Sequence, residues 1–86
     1  MPEISRFLGI IIFMHFREHN PPHFHVEYNE FEASLTINPV ALMDGKLPSR
    51  VLSLVIEWAS EHQTELVENW DALRTTGLFH RIAPLV

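Results

Sequence analysis

A chain of 86 residues with 47% hydrophobic residues has room for one domain and one core, and without cysteine no disulfide can support that core. Six basic against eleven acidic side chains give a formal charge of −5, and no basic cluster occurs anywhere. Phosphate backbones are held by Lys and Arg, so direct nucleic-acid binding is disfavoured. The pattern reads as a single α+β domain over residues 1–86, with a sheet over 4–43, a helical segment over 48–76 and a tail over 77–86.

The first element is a nearly continuous apolar run from Phe7 to Phe16, as expected for a strand covered on both faces. It is shorter than the roughly 20 apolar residues that span a bilayer. It also lacks the small-residue cleavage site of a secretory leader. The expectation is a cytoplasmic protein without membrane contact. Arg17 to Pro22 interrupts the run, because Asn20-Pro21-Pro22 cannot continue a helix or a ladder. Phe24 to Tyr28 alternates apolar and polar, Asn29-Glu30 supplies a tight turn, and Phe31 to Ile37 alternates again. After Asn38-Pro39, Val40 to Met43 suits a short fourth strand closed by Asp44-Gly45. The sheet is therefore expected to be antiparallel with three to four strands.

Pro48 opens the helical segment, where Val51, Val55, Trp58, Ala59, His62, Leu66, Trp70 and Leu73 fall on one stripe. Gly77 ends it. The spacing predicts one long helix, or two joined by a bend near Ser60 to Thr64, packed on one face of the sheet. Phe79 to Ile82 is expected to add a short closing strand.

A two-residue turn at Asn29-Glu30 puts Tyr28 opposite Phe31, His25 opposite Ser34, His23 opposite Thr36 and Glu27 opposite Glu32. Folding the first strand back with Phe16 opposite Phe24 sets His15 opposite His25. The polar face then collects His15, His23, His25, Glu27 and Glu32, with Arg17 at its margin. Histidine and carboxylate ligands suit zinc, and His19, His23 and His25 are the candidate ligands; no other cofactor is expected. The same histidines suit general acid–base catalysis. A third reading has His19 and His23 bracing the Pro-Pro loop through backbone carbonyls. No serine or cysteine nucleophile elbow is present, which disfavours acyl transfer. Trp58, His62 and Trp70 are candidates for partner binding or self-association, because two indoles on one stripe are much for a core this small to cover; the competing reading places both in the core.

The residues Ile4-Ser5-Arg6-Phe7, Gly9-Ile10 and the block His19-Asn20-Pro21-Pro22-His23-Phe24-His25 resemble the bacterial family called domain of unknown function 4160. Gly45-Lys46-Leu47-Pro48, Trp58-Ala59, His62, Asn69-Trp70 and Ile82-Ala83-Pro84-Leu85 extend the resemblance over essentially the whole chain. Two departures stand out, since Tyr is common in that family where His15 stands, and Gly where Asn29 stands. The resemblance implies a small cytoplasmic protein of unassigned biochemistry, often encoded beside another small protein in the manner of toxin–antitoxin pairs. It supplies no catalytic residues. The expected function is thus a protein-binding component of a two-gene, toxin–antitoxin-like system, its partner a small protein from the neighbouring gene. The alternatives are a metal-dependent hydrolase or small ribonuclease using the hairpin histidines, and a homodimer joined through the helix. Whether the chain is an enzyme stays open at this point. A concave pocket on the polar hairpin face would mark an enzyme, and a flat apolar patch on the helix a binding module.

Overall fold

The computed structural model describes residues 1–86. Strands β1 (Glu3–Phe7), β2 (Ile10–Phe13), β3 (His23–Tyr28), β4 (Phe31–Ile37) and β5 (Val40–Gly45) form one antiparallel sheet in chain order. Helices α1 (Ser49–Glu61) and α2 (Gln63–Arg74) follow. The class is α+β, with five strands rather than three or four.

The extra strand is β1, which lies ahead of the apolar run apart from Phe7, while the run itself turns at once and holds β2. Phe7 pairs with Ile10, so Leu8 and Gly9 form a two-residue turn. Their φ angles are 52° and 79°, as a mirror-image hairpin turn requires. Glycine adopts this freely, whereas Leu8 does so at a cost of about 1–2 kcal/mol. With leucine at the first turn position, the turn is hidden inside the hydrophobic pattern. The β3–β4 register agrees with expectation at every pair, from Tyr28 opposite Phe31 to His23 opposite Thr36. The β2–β3 register does not. Phe13, not His15, lies opposite His25, a slip of two residues. A slip of two leaves every side chain on its expected face.

Ile10, Ile12, Phe24, Val26, Leu35 and Ile37 lie on the inner face of the sheet, against Val51, Val55, Trp58, Leu66, Trp70 and Leu73 from the helices. A single straight helix over 48–76 would run roughly 40 Å, and the molecule is only 34 Å in its longest extent. The chain breaks at His62 (φ −129°, ψ 25°), whose N–H reaches the Ala59 carbonyl at 3.1 Å. Gly77, at φ 79°, sends its N–H back to the Ala72 carbonyl at 2.7 Å and so stops α2.

The two indoles are interior. Trp58 is 0% exposed and Trp70 2%. Trp58 packs on Phe7 and Phe24, with ring centroids 5.7 and 6.1 Å away, and its Nε1 donates to the Ala83 carbonyl at 2.8 Å. The tail is accordingly an irregular strap and not the expected strand. Its Ile82 N–H bonds the Ile4 carbonyl at 2.9 Å. Buried Asn69 grips His80 twice, donating to its carbonyl at 2.7 Å and accepting from its N–H at 3.0 Å. These contacts hold the tail against the helices and along the β1 edge of the sheet. No segment pairs with the outer side of β5, where Leu42 and Met43 are 44% and 41% exposed.

Glu3 ties the same edge together, bonding Arg6 at 2.7 Å and Arg81 of the tail at 2.8 Å. The Arg6 hydrogen bond, then that of Arg81, lowers its carboxyl from 4.5 to about 2. A depressed folded-state value means stability that is present above the unfolded value and lost as pH falls through the folded one. The melting temperature should therefore decline between about pH 4.5 and about 2, and Glu3→Gln should flatten that part of the profile in thermal melts.

Candidate functional site

The outer face of the sheet, away from the helices, carries the chemistry. Between β2 and β3 the chain passes through the loop 14–22, which contains a cis Asn20–Pro21 peptide. Arg74 of α2 holds this loop, donating to Asn20 Oδ1 at 3.2 Å while its guanidinium lies 5.6 Å from the Trp70 ring. The result returns Glu18 over the start of β3, where one carboxylate bridges two histidines. Its Oε1 accepts from His25 Nε2 at 2.7 Å, and its Oε2 faces His23 Nε2 at 3.2 Å.

The other ring nitrogens are also engaged. His23 Nδ1 donates to the Pro21 carbonyl at 2.8 Å. Ser34, opposite His25 across the sheet, places its Oγ 3.1 Å from His25 Nδ1. Period two in β3 puts His23 and His25 on one side, and their ring centroids are 5.1 Å apart. The His25 ring stacks on Phe13 at 5.2 Å, and the exposed His15 ring comes within 4.5 Å of it. Desolvation raises the Glu18 carboxyl, but hydrogen bonding and charge from His25, and then from His23, outweigh it. The net effect holds Glu18 below its ordinary range.

Of the expected metal ligands, His23 and His25 are thus together, whereas His19 is exposed and no hydrogen bond joins it to them. His23 is 6% exposed with both nitrogens occupied, so its part in the cluster is to brace. The third close ligand group is His15 and not His19. His15, Glu18 and His25 bring one ligand atom each within 4.8 Å of one another. Glu18 carries no periodic signal in the sequence; the chain doubles back through the Pro-Pro turn and sets it, and not His19, against His23 and His25. The partner candidates Trp58 and Trp70 belong to the core, and His62 bonds Glu65 at the helix break.

Beside the cluster lies a cleft of about 330 Å³ lined by Phe13, His25, Glu32, Ser34, Asp44 and their neighbours. It holds two carboxylates and no Lys or Arg. A family model described as Domain of unknown function (DUF4160) matches residues 9–71. The chain belongs to this family. The DUF4160 match spans β2 to β5, the histidine loop and most of α2, so the whole cluster lies within it. No curated protein and no solved structure matches the chain. No helix of this DUF4160 protein is long and apolar enough to cross a membrane.

Proposed function

We propose that the protein is the partner-binding component of a two-gene, toxin–antitoxin-like system, and that it docks its partner along β5. The observation that carries this reading is the asymmetry of the sheet edges. The tail lies along the β1 edge, bonding it through Ile82 and Arg81, while no segment pairs with the outer side of β5, whose outward-facing backbone groups stand unpaired beside exposed Leu42 and Met43. An exposed edge of this length is a template for strand addition. The chain's charge of −5 favours a basic partner strand, which would itself be suited to nucleic acid. Trp58, His62 and Trp70 have no part in this surface.

Co-expression with the product of the neighbouring reading frame tests the proposal. The wild type should copurify with it, and Leu42→Lys should abolish copurification while leaving the melting temperature nearly unchanged, as exposed substitutions do. Failure to copurify, or copurification indifferent to Leu42→Lys, would overturn the reading. A wild-type dimer that Leu42→Lys converts to monomer would replace it with self-pairing.

The cleft beside His25 favours a second reading, a hydrolase using the histidine cluster. Its ribonuclease form is opposed by the Glu32 and Asp44 lining, which repels phosphodiesters.

A further inference from the structure

The geometry points to a divalent transition-metal site formed by His15, Glu18 and His25, a set that differs from the histidine triplet expected from the sequence. We propose that it takes zinc or a metal of similar ligand preference. The inference stands apart from partner binding at β5 and survives or fails without it.

Three observations carry it. The ligand atoms of the three residues lie within 4.8 Å of one another, two of them, Glu18 Oε1 and His25 Nε2, at 2.7 Å. Zinc binds imidazole nitrogen at about 2.0–2.1 Å and carboxylate oxygen at about 2.0–2.2 Å. Small shifts of exposed His15 and of the Glu18–His25 pair would thus close on one ion. The donor set is two imidazoles and one carboxylate, which suits zinc, cobalt or nickel and not calcium or magnesium.

The third observation is the support behind the ligands. Metal-bound histidines characteristically have their second nitrogen held, and metal-bound carboxylates their second oxygen. Here Ser34 Oγ holds His25 Nδ1 at 3.1 Å, which leaves Nε2 as the ligand atom. Glu18 Oε2 faces His23 Nε2 at 3.2 Å, and the Pro21 carbonyl fixes the His23 ring through Nδ1. With a neutral His25 the ion would occupy Nε2 while the ring proton sits on Nδ1 and donates to Ser34 Oγ, so the same side chains serve both states. Three protein ligands leave a fourth position for water, as in catalytic zinc sites, next to the cleft that His25 also lines.

Calorimetric titration of the untagged, chelator-treated protein with zinc chloride tests the site, together with the absorption spectrum on adding cobalt(II). The expected result is one ion per chain, intense tetrahedral cobalt bands, and a higher melting temperature with zinc. His15→Ala should weaken binding at least tenfold and remove both the bands and the thermal shift. Because His15 is exposed, that variant should fold, and circular dichroism would verify it. Glu18→Gln should act in the same way, and His19→Ala should leave binding unchanged. No stoichiometric binding, or binding lost with His19→Ala and retained with His15→Ala, would overturn the assignment.

Discussion

Replacing Trp58 by alanine should remove a large part of the protein's folding stability. The side chain is 0% exposed and joins both layers, touching Phe7 and Phe24 of the sheet while donating to Ala83 of the tail. Truncating a buried tryptophan costs about 3–5 kcal/mol through lost transfer energy and the remaining cavity. Loss of the Nε1 hydrogen bond to Ala83, an exposed residue, adds about 1 kcal/mol. At about 0.05–0.15 kcal/mol per residue, 86 residues give about 4–13 kcal/mol in all, so that loss is about a third of the stability or more. Urea unfolding followed by circular dichroism would show it, with Trp58→Phe as the milder companion. Were Trp58 a surface anchor, alanine would abolish a binding partner and leave the unfolding midpoint in place. A midpoint within experimental error of the wild type would therefore refute the core assignment.

The same residue shows what the sequence could and could not reveal. Periodicity places Trp58 and Trp70 on one helical stripe, but a stripe has the same spacing whether it faces the chain's own sheet or another protein. Deciding between them required knowing the sheet's area, and five strands cover more than three or four. That count turned on Leu8-Gly9, where leucine in a left-handed turn position left no polar punctuation between β1 and β2. The β3–β4 hairpin was legible throughout, because strict alternation on both sides and an asparagine at φ 52° allow one register only. The histidine face followed from that register. Glu18 did not, since its position depends on the path of the loop 14–22 and on Arg74 reaching Asn20 from 54 residues away. A contact of that kind leaves no local trace. Asn69 is similar, as a polar residue on the apolar stripe whose partner, the His80 backbone, lies in a tail with no periodic pattern.

Gly45→Ala should be the most damaging of the glycine substitutions and should act on β5 itself. A Cβ at this position would lie 2.3 Å from the Glu32 carbonyl oxygen and 2.8 Å from Ala33 Cα, both backbone atoms of β4 that have no rotamer to escape into. The residue also has φ 75°, where any L side chain adds about 1–2 kcal/mol. Relieving the clash means parting Gly45 from Ala33 and disturbing the Lys46 N–H bond to Glu32, so overpacking contributes about 1–3 kcal/mol more. Gly9→Ala is the proper control. It shares the left-handed angle at φ 79°, but its Cβ would meet only the Tyr28 ring edge, at an ordinary 3.6 Å. The unfolding midpoint of Gly45→Ala should thus fall by clearly more than that of Gly9→Ala, the difference isolating the backbone clash from the shared conformational cost. Equal losses would mean that β5 is free to move away from β4, and a strand that loose would be a poor template for docking a partner. Because Glu32, Asp44 and Gly45 also line the cleft, the substitution should open it on the β5 side while leaving His23 and His25 in place on β3 and Glu18 in the loop over them. Zinc binding should then persist in the folded fraction of Gly45→Ala even where partner binding is lost.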